Sequence, residues 1–242
     1  MVYTPAGRPN LNTSCPQTML SVSLARVYAG EVLLTNDLQT TGIDDEGEAV
    51  PALDAELANV AITFPLAIIE EGIDAIIEKL EAALPPQPRA WALCETYYEH
   101  LSWWTRPIKR DELIDDILVP IYKCKNDPNR ASYFRDAQDE EGRCPHLLAT
   151  LFFVLANGAL VDLTLTPCSG EAETYYRLGR AALSLRPVFD SQEVETVQAL
   201  VLMSTYHSLC TARYSLESAW RIISFAAKIA QSVSGQSQLS RS

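Results

Sequence analysis

The longest apolar run in the chain, Leu147 to Leu165, is interrupted by Asn157, Gly158 and Asp162. It is apolar on every side and begins behind Pro145, a residue well suited to the first turn of a helix. A run of that length can cross a bilayer. The charged Asp162 near its end and its helical, polar neighbours make a central buried helix the expectation, with no membrane span. One such rod needs others around it to cover it, so the chain is expected to be all-α.

The flanking patterns agree. In Glu171 to Leu185 the residues Ala172, Tyr176, Gly179 and Leu183 form one stripe, with Glu173, Arg177 and Arg180 opposite. Asp190 and Glu193 have the spacing of a capping box opening Ser191 to Leu209, where Val194, Val197 and Val201 share a face. Ser215 to Val233 carries two adjoining apolar stripes. One is Leu216, Trp220, Ile223, Ala227 and Ala230; the other is Ala219, Ile222, Ala226, Ile229 and Val233. Glu217 and Arg221 are placed as an i,i+4 pair on its polar side. Upstream, Arg89 to Trp104 and Arg110 to Tyr122 read as helices, and Lys125 to Glu141, with Asp127-Pro128-Asn129, as a loop. No strand-like alternation competes over 85–233. The fold class expected is all-α, an irregular multi-helix bundle of stacked helical hairpins with disordered termini.

Charge divides the chain further. Of 31 acidic and 19 basic residues, twelve acids and no Lys or Arg lie between Val27 and Glu78, leaving 19 of each sign elsewhere. A near-neutral body with an acidic segment is no surface for gripping phosphates. Residues 1–50 read as a poorly ordered leader and acidic linker with one short helix from Met19 to Leu34, and no export signal is visible in Met1 to Leu20. Residues 51–84 read as an acidic amphipathic helical segment, Ile69, Ile73, Ile76, Ile77 and Leu80 on one face and the acids on the other. Pro85-Pro86-Gln87-Pro88 stops it.

Chemistry is sparse. No phosphate loop, nucleophile elbow or HExxH motif occurs. The cysteines at 15, 94, 124, 144, 168 and 210 form no CxxC pair, and buried free thiols are expected. Cys144 and His146 offer two metal ligands with no second pair at zinc spacing. Cys210 near His207 has the spacing of a nucleophile and its base, but Cys and His three apart on an amphipathic helix are more often packing and boundary residues, which is the expectation. Asp115-Asp116 and Glu140-Glu141 are neighbours that diverge on a helix, hence a solvated face. Tyr97, Tyr98, Trp103 and Trp104 are expected in the core, where they could also line a small-molecule pocket. Arg177, Arg180 and Arg186 are expected on a solvated face, with Glu173–Arg177 pairing. No residue is assigned as catalytic, cofactor-binding or metal-binding.

Four blocks carry a resemblance: LATLFFVLANGALVD from Leu148 to Asp162, EAETYYRLGRAAL from Glu171 to Leu183, VETVQALVLM from Val194 to Met203, and Ala219-Trp220 leading to AKIAQSV from Ala227 to Val233. Together with WALCETYY from Trp91 and RDELIDD from Arg110, they resemble the fungal-specific transcription factor domain, the middle homology or xylanolytic-activator regulatory region of zinc-cluster regulators. The likeness covers 85–233. It implies a nuclear, non-catalytic regulatory domain whose partners are the rest of a transcription regulator or a co-regulator, with a homodimer possible and DNA reached only indirectly. Family members read DNA with a six-cysteine zinc cluster. Here only Cys15 precedes residue 94, so zinc binding and direct DNA contact attach to no residue, and no cofactor is expected. Where the family continues with a Gly-Leu-His-Arg-Asp turn, residues 234–242 are polar and expected to be a disordered tail. The chain is then expected to hold the front part of a larger domain, with apolar faces of Leu216 to Val233 open to a partner. Two other readings stand beside this one. A TPR-like scaffold would place Tyr175, Tyr176 and Arg180 on a concave groove; an α-helical enzyme would need a polar pocket at His100, His146 or His207.

Overall fold

In the computed structural model the described residues are 53–65, 72–126, 143–189 and 193–239, and none of them lies in a strand. The leader, the acidic linker, residues 127–142 and Asp190 fall outside them; of the expected loop Lys125 to Glu141, Lys125 and Asn126 belong to a helix. Among the described residues there are eight helices: α1 Ala55–Thr63, α2 Ile73–Ala82, α3 Gln87–His100, α4 over 110–126, α5 Pro145–Leu160, α6 Gly170–Leu183, α7 Val194–Leu209 and α8 Leu216–Leu239.

Helix α5 is the axis. Fifteen of its 16 residues are buried, as an all-round apolar sequence requires. It pairs with α6 as one hairpin, crosses α3 on a second side and α7 on a third. Helices α7 and α8 form the other hairpin, stacked on the first through the α5–α7 contact. Two breaks in the apolar run are explained by this packing. Gly158 lies so close to α3 that a Cβ there would stand 2.2 Å from the Leu93 carbonyl oxygen. Asn157 donates from Nδ2 to the Phe153 carbonyl at 2.8 Å and across to the Leu202 carbonyl of α7 at 3.0 Å. The third, Asp162, follows the helix and takes one arm of Arg89 at 3.0 Å, while Glu171 takes the guanidinium's other edge at 2.9 and 3.1 Å. This fork ties the start of α3 to the α5–α6 connection, and it raises the Arg89 pKa through the bond to Glu171. Among the described residues no helix is long and apolar enough to cross a membrane.

Segment 51–84 shares this core. Leu57, Val60 and Ala61 of α1 lie against α6; Ile76, Ile77 and Leu80 of α2 join the same cluster. The acids do not all face out: Glu81 is only 4% exposed, with Arg143 at 3.7 Å. The proline cluster ends one helix and starts another, Pro86 capping α3 and Pro88 lying in its first turn.

Four local expectations are corrected. Helix α4 is not uniform: Arg110–Glu112 is α-helical, Leu113–Leu118 is a π-helix and Val119–Asn126 is α-helical again. The Val119 N–H reaches five residues back to the Ile114 carbonyl, immediately before Pro120, which has no N–H to continue the regular ladder. Helix α7 begins at Val194 and not at Ser191, with Glu193 as its N-cap in extended conformation and its carboxylate on Arg186 at 2.9 Å; Asp190, the other half of the expected capping box, lies outside the described residues. Trp103 and Trp104 are 81% and 49% exposed, because both follow the end of α3 in a turn, whereas Tyr97 is fully buried. Helix α8 runs on to Leu239, through much of the stretch read as a disordered tail.

Candidate functional site

The three histidines lie on α3, α5 and α7. His100, at the end of α3, offers its carbonyl to the Trp103 indole N–H at 2.8 Å. His146, in the first turn of α5, is buried, with Nδ1 at 2.8 Å from the Thr196 hydroxyl and Nε2 without a hydrogen bond among the described residues. Burial, then the positive charge of Arg186, holds its pKa down to about 4. Cys144 caps the same helix and is buried, its thiol pushed up by desolvation.

His207 stands in a largely buried polar cluster. Ser218 gives its hydroxyl hydrogen to the Ser215 carbonyl at 2.6 Å, so its oxygen accepts from His207 Nδ1 at 2.6 Å. That leaves Nε2 as the acceptor for the buried Tyr176 hydroxyl at 2.5 Å. The imidazole is neutral: burial, then Arg180, pushes its pKa down to about 3. Beside it, the buried Glu173 carboxylate accepts from the Tyr214 hydroxyl at 2.9 Å, the Tyr206 hydroxyl at 3.3 Å and Arg177 Nε at 3.0 Å. The rings stack in two pairs, Tyr176 on Tyr206 with centroids 4.5 Å apart and His207 on Tyr214 at 4.1 Å. Desolvation raises the pKa of all three tyrosines, so each stays a neutral donor.

This arrangement joins α6, α7, the α7–α8 turn and α8 through polar groups that satisfy one another. Both His207 nitrogens are engaged, so neither is left to activate Cys210. Burial, then the neighbouring Cys168, raises the Cys210 pKa, the opposite of what a nucleophilic thiolate needs. Chemically the cluster binds helices together.

The arginine row is likewise used internally. Arg177 forms the expected i,i+4 pair with Glu173, but Glu173 is buried and not on a solvated face. Arg180 lies 6.0 Å from the Tyr176 ring centroid and Arg186 reaches Glu193. Tyr175 and Tyr176 are buried and Arg180 half-buried, which counts against the concave face on which a TPR-like scaffold would place them. Asp115 and Asp116 are exposed on the π-helical turn of α4, and Glu140 and Glu141 lie outside the described residues. Among the described residues no three His, Cys, Asp or Glu side chains converge as metal ligands.

The surface offers something the interior does not. Of the two apolar stripes of α8, Ala219, Ile222, Ala226, Ile229 and Val233 lie against the core. Leu216 and Trp220 of the other stripe remain 57% and 42% exposed. Tyr206, Tyr214 and Ser218 were not marked by sequence patterning, although Tyr176 and Glu173, one helical turn apart, carry the acceptor and ring around which they gather. Compared with protein-family models, with curated proteins and with solved structures, the chain matches none.

Proposed function

We propose that this chain is a regulatory, non-catalytic helical module of a transcription regulator of the fungal zinc-cluster kind, acting in the nucleus through contacts between helices. Its partners are the remainder of such a regulator or a co-regulator, and it reaches DNA only through them. The reading draws on the order of the resembling blocks, which fall on α3 to α8, and on the way the buried polar groups are spent on one another. The observation that carries it is the outer stripe of α8: a helix already docked on α7 keeps Leu216 and Trp220 in solvent.

The test is a tethered reporter. Fused to a heterologous DNA-binding domain, the chain changes transcription from the cognate promoter, and Trp220→Glu reduces that change. An output equal to that of the DNA-binding domain alone overturns the reading. The untethered chain gives no sequence-selective shift of DNA at physiological salt; a tight selective shift overturns the indirect role of DNA.

A further inference from the structure

The bonds between α6 and the end of α7 follow one register, in which earlier residues of the first meet later residues of the second. Tyr176 reaches His207, and Glu173 reaches Tyr206 and Tyr214. Ahead of α6, the Cys168 carbonyl accepts from Arg213 Nη2 at 3.5 Å. Cys210 lies on the same path. It caps α7, with its N–H on the Tyr206 carbonyl at 2.9 Å and its own carbonyl taking the Arg213 and Tyr214 N–H groups at 3.1 and 3.0 Å. Arg213 therefore holds the backbone of both cysteines, one through its amide and the other through its guanidinium. The two thiols are neighbours beside Tyr206.

The pair differs in access. Among the described residues Cys94, Cys124, Cys144 and Cys210 are buried, as expected of free thiols, but Cys168 is half-buried and follows a largely exposed stretch over 163–167. Its φ of 52° lies in the left-handed region that glycine or asparagine occupies at less cost. Glycine would make this turn more easily. What cysteine adds there is a sulfur, placed beside a second one.

We propose that Cys168 and Cys210 are a redox modification site, oxidised by hydrogen peroxide to a disulfide that locks the entry of α6 to the exit of α7. The Cys168 thiol gives up its proton and its sulfur attacks one peroxide oxygen. The O–O bond breaks, Cys168 becomes a sulfenic acid, and hydroxide leaves with that proton as water. Cys210 Sγ then attacks the Cys168 sulfur. The S–O bond breaks, and the departing hydroxide takes the Cys210 proton as a second water. Two thiols and one peroxide thus give one disulfide and two waters, with two electrons passing from the sulfurs to the peroxide. Cys210 is buried and protonated, a poor target for the oxidant, so it acts second, where its position beside the sulfenic sulfur takes the place of collision. The disulfide closes the loop that contains α6 and α7 and restricts the unfolded chain more than the folded one.

The inference goes beyond the regulatory reading and does not depend on it. Its test is peptide mass mapping of the 242-residue chain after graded doses of hydrogen peroxide near neutral pH, with free thiols alkylated before digestion. The expected product is a linked pair of peptides holding Cys168 and Cys210, two hydrogens lighter than their sum and released by dithiothreitol. The oxidised chain melts about 10 °C higher than the reduced one. Cys210→Ala leaves Cys168 as a sulfenic acid that dimedone captures, and Cys168→Ser leaves Cys210 unmodified at the same dose. The mapping of the unaltered chain decides the matter even where a variant fails to fold. A Cys168 that stays a free thiol, passes to sulfinic acid without a link, or joins Cys15 or a second chain overturns the proposal. So does a Cys168–Cys210 link that leaves the melting temperature unchanged, since no lock has then formed.

Discussion

The Tyr176 hydroxyl donates to His207 Nε2 at 2.5 Å, across the interface between α6 and α7. Both side chains are buried, and the ring that accepts this bond gives its own hydrogen to Ser218 on α8. One imidazole therefore links three helices, and does so only while it carries a single proton on Nδ1. Its chemistry is committed to holding the fold.

Stability falls with acid in a defined window. His207 and His146 are neutral in the folded chain, with pKa values pushed down to about 3 and about 4 from the ordinary 6.5. The unfolded chain takes up protons below pH 6.5 that the folded chain refuses, so stability is full above 6.5 and is lost as pH falls toward those values. Each ring withdraws about 1.4 kcal/mol per pH unit, or about 2 kcal/mol each at pH 5. Urea denaturation at pH 7 and pH 5 measures this, and His207→Gln removes about half of the pH slope whatever it does to the baseline.

Glu173 is a buried charge that is costly to disturb. Glu173→Ala leaves the Tyr206 and Tyr214 hydroxyls and the Arg177 guanidinium without their shared acceptor and opens a cavity, a loss of about 3–5 kcal/mol. Arg177→Ala, at a half-exposed site, leaves Glu173 its two phenol donors and costs about 1 kcal/mol. The difference in denaturation midpoints between these variants measures the contrast.

Two glycines separate by what an added methyl group meets. At Gly158 it meets the Leu93 backbone carbonyl at 2.2 Å, which only a shift of α3 against α5 relieves; at Gly179 it meets the Phe153 ring at 2.8 Å. Gly179→Ala therefore costs about 1–3 kcal/mol through overpacking, and Gly158→Ala costs more. Thermal melts rank the two.

Among the aromatic residues at the end of α3, Tyr97→Ala removes a fully buried ring whose hydroxyl donates to the Thr105 carbonyl, at about 3–5 kcal/mol. Trp103→Ala removes an exposed ring and one hydrogen bond to the His100 carbonyl, at about 0.5 kcal/mol or less. Equal losses in denaturation would show that Trp103 packs as the sequence pattern suggested.

Much of the fold can be read from periodicity, and the failures have physical causes. Helices α5 to α8 are legible because long 3.6-residue patterns integrate many apolar positions. Pro145 marks the start of α5, since a proline there loses no helical bond. The inward turn of Glu173 and Glu81 is not legible, because a charge reads as outward until its partners are known. Those partners, Tyr206 and Tyr214 for one and Arg143 for the other, stand 33, 41 and 62 residues away. The π-helical turn before Pro120 depends on a backbone ladder that hydrophobic spacing does not report. The two stripes of α8 were visible as a pair, but which of them docks on α7 is decided only by the packed neighbours.

The central claim is that the buried cluster around His207 and Glu173 joins helices, each of its polar groups satisfied by another. The most direct measurement is the ¹⁵N spectrum of the His207 imidazole in the folded chain between pH 5 and pH 8. A neutral ring protonated on Nδ1 throughout that range is the predicted result. A ring that titrates near 6.5, or carries its proton on Nε2, would mean an imidazole open to solvent and free for acid–base chemistry, and would contradict the claim.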